Sequence, residues 1–388
     1  MVATHTFVSY ICYMELPFEY GELVKQAQFI NRKEERKRLA QNLKGGLNTT
    51  LISPRRWGKS SLVNQVALDV ESRKTRFCFI DLYQIESEAE FYQALSREVI
   101  KVTSSKMEEW VKMARLFLGK LRPNFSFGVD PINDFEISLD YDQLEVAFQE
   151  VLDLPEKIAK EKNIRIVICV DEFQNLAKFN NPMLFQQRLR SSWQHHKNVS
   201  YCLYGSKKHM MMDIFQNKQM PFYKFGDIMF LEKINTEHWT SFICKQFEIT
   251  KKKIEVELAE EIVSTVKNQS YYVQQLAHLV WVRTTKKTTR DIFLQGVSDL
   301  LKQNNMFFSR EMELLSPTQI RFLKALSNGV ENFHRKEILK EYNLGSSSNV
   351  TRIKGALEKK EIIDTLVPKI EFLDPVFELW FTTKYLNK

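Results

Sequence analysis

The feature that most constrains the fold is a turn that joins two apolar segments near residue 58 of the 388-residue chain. The apolar pair at 51–52 indicates the end of a buried strand, and the segment 61–67 indicates a helix. The turn between them reads Ser-Pro-Arg-Arg-Trp-Gly-Lys-Ser over residues 53–60. A strand, such a turn and a helix start together bring backbone N–H groups and the positive end of a helix to face an anion. The pattern predicts a phosphate-binding loop.

The residue types in this turn suit a triphosphate, since Gly58 lets the backbone approach the phosphates without a Cβ in the way. Lys59 can reach the β- and γ-phosphates, and the Ser60 hydroxyl can bind Mg²⁺. The motif G-x-x-x-x-G-K-[ST] has one departure, because its first glycine is Ser53 here. On its own, the pattern has an alternative interpretation, in which Gly-Lys-Ser precedes a helix by chance and binds no phosphate. The predicted nucleotide-binding residues of the loop are Ser53, Pro54, Arg55, Arg56, Trp57, Gly58, Lys59, Ser60 and Ser61.

A second motif lies downstream, where an apolar run over residues 166–170 ends in Asp171 and Glu172. An unbroken apolar run is typical of a strand buried on both faces, as in a parallel sheet. Such sheets bind ligands at the carboxyl ends of their strands, where the two acids fall. Asp171 would support Mg²⁺, and Glu172 would polarise the attacking water. A solvent-facing strand end is the alternative for the acids alone, but the two motifs together predict an ATP-binding P-loop domain.

Strand-like and helix-like segments alternate over roughly 200 residues, which indicates a doubly wound α/β core with a parallel sheet. Two short alternating segments before residue 140 predict a hairpin inserted into this core. Helical periodicity then takes over, and three short helical segments followed by a hairpin predict a C-terminal winged helix-turn-helix. The predicted domains are an N-terminal extension (1–17), the P-loop core (18–235) with its insertion near 105–140, a helical lid (236–312) and the winged helix-turn-helix (313–388).

The composition is that of an ordinary globular protein, with 44% hydrophobic residues, 27% charged residues and a net charge of +8. This charge permits an acidic partner such as nucleic acid but does not require one. No apolar stretch approaches the ~18 residues of a membrane span, and no signal peptide is evident, so we expect no membrane partner. The five cysteines lack zinc-ligand spacing, which favours free thiols in a reducing cytoplasm. We expect Met14 to be the natural start, because the domain-like pattern begins only at Phe18.

The motifs at 53–61 and 170–172 make the chain resemble a known family. This family comprises archaeal and bacterial ATPases allied to the signal-transduction ATPases with numerous domains, within the wider AAA+ class. The resemblance extends from about residue 18 to the C-terminus. It rests above all on residues 54–60 and on Val-Asp-Glu-Phe-Gln at 170–174. The segments that add to it are Phe-Ile-Asn-Arg at 29–32, Gly-Ser at 205–206, Pro-Phe-Tyr at 221–223, Tyr-Tyr-Val-Gln at 271–274 and Asp-Pro-Val-Phe at 374–377.

The resemblance implies further contacts with the nucleotide. Residues 29–32, Arg32 among them, would lie against the adenine and ribose, with Ile30 packing on the base. Ser206 would stand beside the γ-phosphate as a sensor, with a plain strand-ending turn as the alternative. Where relatives have Gly-x-Pro in the lid, this chain has Asn-Gln-Ser at 268–270. Asn268 tolerates a left-handed backbone and Ser270 can cap a helix, so we expect the turn to persist.

Four arginines are candidates for roles near the phosphates. The resemblance implies that an arginine on the helix after the acidic strand, Arg188 or Arg190, would act as an arginine finger across a subunit interface, although a solvated helix position is the alternative for each. Arg55 and Arg56 would donate to phosphate or, equally, pair with acidic side chains of the protein. Trp57 is expected to pack.

The C-terminal region supports two interpretations. A winged helix can bind duplex DNA through the helix that enters the major groove. Residues 315–388 hold 12 Lys and Arg against 9 Asp and Glu, a difference of +3, which is a thin electrostatic footprint for DNA. This small charge favours a module that rests on the ATPase core and transmits its state. The side chains that would face the groove are Ser346, Ser347, Asn349, Arg352 and Lys354.

Three functional hypotheses follow from the sequence. The first is an ATP-hydrolysing molecular switch in which Glu172 is the base, Asp171 and Ser60 serve Mg²⁺, and Lys59 serves the phosphates. Its partner would be an unidentified protein or a second copy of the chain. The second is a DNA-binding regulator that keeps ATP as a structural ligand, and the third is a non-hydrolysing scaffold in which Ser53 marks a weakened site.

Overall fold

The structure, a computed structural model, describes residues 16–21, 30, 32–104, 106–128, 130, 134–139, 141–366 and 368–386, with the backbone alone at 141–146. Several predictions concern residues outside these ranges. They are the start at Met14, the state of Cys12, and the contacts of Phe29 and Asn31.

The chain divides into two compact units. One unit comprises Asn31–Ile234 and Glu313–Lys388, and we call it the core unit. The other, the helical unit, comprises Asn235–Met312 with the described residues that precede Asn31. The boundaries of the four domains predicted from the sequence stay predictions.

The secondary structure alternates between strands and helices through the first part of the core unit. In chain order the strands are β1 (Thr49–Ile52), β2 (Thr75–Asp81), β3 (Asn124–Ser126), β4 (Glu136–Ser138), β5 (Arg165–Asp171), β6 (Val199–Gly205), β7 (Asp227–Phe230), β8 (Ile363–Asp364) and β9 (Glu371–Phe372). The helices are α1 (Lys33–Gly45), α2 (Lys59–Val70), α3 (Glu88–Thr103), α4 (Met107–Leu118), α5 (Tyr141–Leu152), α6 (Leu154–Lys162), α7 (Pro182–Trp193), α8 (Lys208–Gln216), α9 (Thr236–Ile249), α10 (Val256–Thr265), α11 (Ser270–Arg283), α12 (Arg290–Glu313), α13 (Pro317–Ser327), α14 (Lys336–Glu341), α15 (Ser347–Lys359) and α16 (Pro375–Trp380).

Five strands of the core unit form a parallel sheet in the order β2-β5-β6-β1-β7. Every residue of β1 and β6 is buried, as expected for strands covered on both faces. Cys169 of β5 lies opposite Cys202 of β6, and both are buried free thiols, as is Cys78 of β2. The predicted parallel sheet and the predicted state of these three cysteines are therefore observed.

The predicted hairpin is observed in the described part of residues 105–140. Strands β3 and β4 pair as an antiparallel hairpin in which Phe125 lies opposite Ile137. Phe135 next to β4 is fully buried, and its ring lies 5.0 Å from that of Trp110 on α4. The insertion thus extends the apolar core of the sheet through aromatic packing.

The helical unit is built from α9 to α12. Phe18 is buried against this unit, with ring centroids 6.0 Å from Phe242 and 5.8 Å from Phe247. Asn268 has a left-handed backbone with a φ of 60°, and its side-chain amide donates to the Thr236 hydroxyl at 2.9 Å. The prediction for Asn268 is therefore confirmed. The prediction for Ser270 was wrong, because Gln269 is the N-cap of α11 and Ser270 is its first residue.

After the sheet the core unit continues with α13, α14 and α15 and the antiparallel pair β8–β9, the element order predicted for a winged helix-turn-helix. We call residues 313–386 the C-terminal module. Its first helix begins with a capping box, in which Ser316 and Gln319 each accept from the other's backbone N–H. Asp374 caps α16 by accepting from the N–H groups of Val376 and Phe377. Within the described ranges, no helix is long and apolar enough to cross a membrane.

Gly226 offers a test of how the sheet edge is assembled. It precedes β7, where Asp227 N–H donates to the carbonyl of Asn48 at 2.9 Å just before β1. A Cβ at residue 226 would overlap that carbonyl oxygen, which belongs to the backbone and cannot move aside. We expect Gly226→Ala to lower the free energy of unfolding by about 1–3 kcal/mol.

The measurement for Gly226→Ala is the shift in the midpoint of urea-induced unfolding relative to the unmutated protein. Gly45→Ala is the matched control, because a Cβ there meets no atom within 4 Å and its backbone is helical. It should leave the midpoint unchanged or raise it slightly. Equal midpoints for the two variants would contradict the packing argument.

Candidate functional site

The two sequence motifs meet where the parallel strands end. Ile52, the last residue of β1, lies opposite Gly205, the last residue of β6. Asp171 ends β5, the next strand of the sheet. The loop 53–58 and the acidic pair therefore share the carboxyl edge of the sheet, which is where ligands of such folds bind.

The phosphate-loop backbone adopts a left-handed conformation at Gly58, which favours a glycine there. Gly58 is the N-cap of α2 and has a φ of 90°, in the left-handed region, and an added Cβ would meet no atom within 4 Å. Arg56 is also left-handed, with a φ of 66°. Ser53 is buried and has no positive φ, so the position of the motif's first glycine does not need a glycine here.

Lys59 begins α2 and is only 6% exposed. Burial lowers the pKa of its ammonium group, and the charges of Glu172 and Asp171 act in the opposite direction. A buried cation at the start of a helix is placed to bind a phosphate.

Ser60 and Asp171 are joined directly. The Ser60 hydroxyl donates to Asp171 Oδ2 at 2.8 Å, and the Glu172 N–H donates to Asp171 Oδ1 at 2.7 Å. Burial raises the pKa of Asp171 to about 6, with the Glu172 charge adding to the rise and the Ser60 bond opposing it. One hydroxyl and one carboxylate give the oxygen donors that Mg²⁺ prefers.

Mg²⁺ would take only part of its ligands from the protein. Among the described residues there is no group of three or more His, Cys, Asp or Glu side chains arranged to hold a metal ion. Mg²⁺ bound with a nucleotide needs only one or two protein ligands, because phosphates and waters supply the others. Ser60 and Asp171 are therefore the residues that would hold it.

The raised pKa of Asp171 predicts a pH dependence of metal binding. Below about pH 6 the free protein carries a neutral Asp171, which is a poor ligand for Mg²⁺. We expect the affinity for Mg²⁺-nucleotide to fall as the pH is lowered from 7.5 through 6, approaching about tenfold per pH unit below it. Isothermal titration with a non-hydrolysable ATP analogue at several pH values measures this. Asp171→Asn is the control, and it should bind weakly with a flat profile over this range.

Glu172 is held at the turn that follows β5. Its backbone is left-handed, with a φ of 51°, and it precedes the 3₁₀ helix Phe173–Lys178. Its Oε2 accepts from the Ser206 hydroxyl at 2.8 Å and from the side-chain amide of Gln174. Ser206, predicted as a sensor, is therefore in direct contact with the predicted base.

Gln174 is a site residue that the sequence did not predict. It is fully buried, and its amide hydrogen-bonds to Glu172. A Cβ on Gly205 would overlap its side-chain oxygen, so the glycine at the end of β6 leaves the space for this glutamine. The signal for it was its place two residues after Glu172, but only the 3₁₀ turn brings the two side chains together.

Arg55 and Arg56 pair with acidic side chains of the C-terminal module. Arg55 Nη2 lies 3.7 Å from Glu361, and Arg56 Nη1 lies 3.4 Å from Asp374. Arg55 Nε also donates to Ser206 at 3.4 Å. Of the two alternatives for these arginines, the structure contains the acidic pairing.

The remaining residues predicted around the nucleotide have varied surroundings. Arg32 is 4% exposed, and it donates to the carbonyl of Trp57 at 3.0 Å and to Glu35 at 3.2 Å. Lys233 lies over the ring of Trp57, 5.4 Å from its centroid. Ile30 belongs to the helical unit, and its contact with adenine stays a prediction.

The two finger candidates on α7 are held by their own chain. Arg188 pairs with Glu88 at 2.8 Å and lies 4.4 Å from the ring centroid of Phe148. Arg190 lies 4.9 Å from the ring centroid of Phe225, and burial lowers the pKa of its guanidinium. A role across a subunit interface stays a prediction for both.

The residues predicted to face DNA take part in local structure of the C-terminal module. Ser346 caps α15 by accepting from the Asn349 N–H, and the Asn349 amide donates to the carbonyl of Leu344 at 2.7 Å. Arg352 donates to Asn349 at 2.8 Å. The other two contacts are Ser347 with His334 at 2.6 Å and Lys354 over the ring of Phe333 at 5.4 Å.

Solved structures share this architecture at low sequence identity. A Walker-type ATPase of Pyrococcus abyssi has a TM-score of 0.68 and 17% identity, covering 94% of this chain and 99% of its own. The ORC2 protein of Aeropyrum pernix, in ADPNP and ADP complexes, has a TM-score of 0.55 and 14% identity, covering 95% and 99%. No protein-family model matches the sequence, and no curated protein does. The likeness confirms the predicted fold class, a doubly wound α/β core with a parallel sheet.

Proposed function

We propose that this protein binds and hydrolyses Mg²⁺-ATP and acts as a molecular switch. The observation that carries the proposal is the Ser60–Asp171 hydrogen bond, which joins the start of the phosphate-loop helix to the end of β5. Lys59 and Glu172 lie beside it, so a cation, a metal-ligand pair and a general base share one edge of the sheet. Two structural neighbours add support, since one is a Walker-type ATPase and the other binds ADPNP and ADP.

Each residue has a role in binding the triphosphate. The N–H groups at the start of α2 and the helix dipole would hold the phosphate oxygens, and Lys59 would offset the charge of the β- and γ-phosphates. Ser60 and Asp171 would hold Mg²⁺, which when bound supplies further charge neutralisation between those phosphates. The loop shape fits this role because Gly58 leaves the space in front of α2 open.

Glu172 would act as the general base. Ser206 and Gln174 both donate to its Oε2, which fixes the carboxylate and leaves Oε1 as the atom to orient an attacking water. The Ser206 hydroxyl would contact the γ-phosphate as well as Glu172, so loss of the γ-phosphate would change the hydrogen bonding of the base.

The switch part of the proposal rests on contacts within the core unit. The phosphate-loop arginines pair with Glu361 and Asp374, so a change in the loop alters what holds the C-terminal module. The narrower kinship with signal-transduction ATPases is part of this proposal, and so are a cytoplasmic location and an unidentified protein partner or self-association.

The alternatives have less support. The candidate DNA-facing side chains are engaged within the C-terminal module, which disfavours a DNA-binding regulator. Ser53 keeps the phosphate loop in a conformation that needs no glycine there, which disfavours a scaffold with a weakened site.

The proposal is tested by measuring phosphate release from ATP with purified protein, with and without duplex DNA. We expect Mg²⁺-dependent turnover that duplex DNA does not change. A separate measurement of molecular mass with and without ATP tests self-association. Nucleotide binding with no turnover, together with salt-dependent DNA binding, would favour the regulator instead.

A further inference from the structure

Three consecutive residues after β6 connect the candidate site with the C-terminal module. Ser206 donates to Glu172 at 2.8 Å. Lys207 Nζ lies 3.9 Å from Glu361, and Lys208 Nζ lies 3.3 Å from Asp364. A short segment at the tip of one central strand therefore contacts the predicted base on one side and two acidic residues of the C-terminal module on the other.

Glu361 occupies a distinctive position in this arrangement. It follows α15 at a turn with a φ of 58°, and it is 22% exposed. The same carboxylate oxygen lies 3.7 Å from Arg55 and 3.9 Å from Lys207. Burial lowers the pKa of Lys59, and the negative charge of Glu361 is among those that oppose this shift. The protein thus presents its own anion to the cations that surround the phosphate site.

We propose that Glu361 is a specificity-determining residue that competes with the terminal phosphate of ATP for Arg55, and so weakens the binding of ATP relative to ADP. The inference rests on the proposed function and adds to it the residue of the C-terminal module that discriminates between the two nucleotides. Arg55 is the shared ligand because it contacts both Glu361 and Ser206, the residue bonded to the base.

The discrimination follows from where each phosphate lies. The lysine of a phosphate loop reaches the β- and γ-phosphates, and the base lies beyond the γ-phosphate. Only a triphosphate therefore brings negative charge up to Ser206 and Arg55, where it meets the Glu361 carboxylate. A diphosphate ends before this point and leaves the Arg55–Glu361 pair intact. ATP binding must offset the repulsion and the loss of the pair, whereas ADP binding does not.

ATP binding would also change how the C-terminal module is held. When Arg55 turns to the phosphate, Glu361 loses one of its two cationic partners and keeps Lys207, and the Arg56–Asp374 and Lys208–Asp364 contacts remain. ATP therefore loosens one contact of the module rather than releasing it, which suits a reversible switch.

The test is the ratio of ATP-analogue to ADP affinity in Glu361→Gln, measured by titration with ATPγS and with ADP. Glutamine keeps the size of the side chain and removes its charge. We expect ATPγS to bind about tenfold more tightly than to the unmutated protein, and ADP affinity to stay within about twofold. Glu331→Gln is the matched control, since Glu331 is an exposed acid of the same module, paired with Lys369. It should change neither affinity.

A second variant at residue 361 tests whether a change in affinity comes from the lost charge or from a disturbed fold. Glu361→Asn also removes the charge, and asparagine tolerates the left-handed backbone found there. It should give the same change in the affinity ratio. An unchanged ratio in both variants, with both nucleotides bound, would overturn the inference and leave the proposed function standing. Unmutated protein that binds neither nucleotide would overturn both.

Discussion

Glu172→Gln should lower ATP turnover by about 10²–10⁴-fold while leaving ATP affinity nearly unchanged. Glutamine has the same shape as glutamate, and its carbonyl oxygen can still accept from Ser206 and Gln174, which hold this side chain. It cannot take a proton from water, so the chemical step fails and the bound state persists. Single-turnover phosphate release and equilibrium binding of ATP, measured on the same preparation, separate the two effects.

The control for this prediction is Glu71→Gln, an acid in an exposed pair with Arg76 away from the site. Its turnover should match that of the unmutated protein. If Glu172→Gln hydrolysed ATP at the original rate, another group would have to be the base, and the assignment of Glu172 would be wrong.

Lys59→Ala should weaken ATP binding by about 100-fold or more, and turnover should disappear with it. The lysine is the cation at the start of α2, and its burial strengthens its interaction with any phosphate that enters. Without it, the two carboxylates face the phosphates with no opposing charge between them. Titration with ATPγS in the presence of Mg²⁺ measures the loss.

Lys74→Ala provides the comparison for Lys59→Ala, since Lys74 is an exposed lysine in the turn before β2. Its affinity for ATPγS should equal that of the unmutated protein. Near-normal affinity in Lys59→Ala would mean that the nucleotide binds elsewhere or that the backbone of the loop suffices.

The architecture could be predicted from the sequence because its signals are local. The apolar run that ends in Asp171 required a buried strand, and the Gly-Lys-Ser turn required a helix start. Strands of one parallel sheet end at the same edge, so the end of β1, which leads into the turn, lies at the same edge as the end of β5. The Ser60–Asp171 hydrogen bond is formed at that edge. The tolerance of Ser53 was not predictable, because it depends on a backbone angle that the motif does not specify.

The contacts that complete the site could not be predicted because they depend on tertiary packing. Gln174 reaches Glu172 only through a 3₁₀ turn, and no periodicity indicates that turn. Glu361 meets Arg55 only because the C-terminal module packs on the phosphate loop. The same packing supplies the acidic partners of Arg55 and Arg56, since the sequence identifies a donor but not the partner that will face it.

The cap of α11 illustrates a smaller limit of local patterns. Serine is a common N-cap, and Ser270 was the expected cap of α11. The cap is instead Gln269, so the helix begins one residue earlier than expected, at Ser270. Lys267 and Asn268 are both left-handed before it, so two successive turn residues fix the helix start. A capping preference of about 1 kcal/mol is too small to override that turn.

The most direct test of the account is to locate the metal in crystals of the protein with Mn²⁺ and a non-hydrolysable ATP analogue. Anomalous scattering of Mn²⁺ marks the site independently of any assumption about the ligands. We predict one peak about 2 Å from Ser60 Oγ, beside Asp171, with the triphosphate along the start of α2 and against Lys59. A nucleotide bound elsewhere, or a metal peak remote from Ser60 and Asp171, would contradict the central claim that these motifs form one Mg²⁺-ATP site.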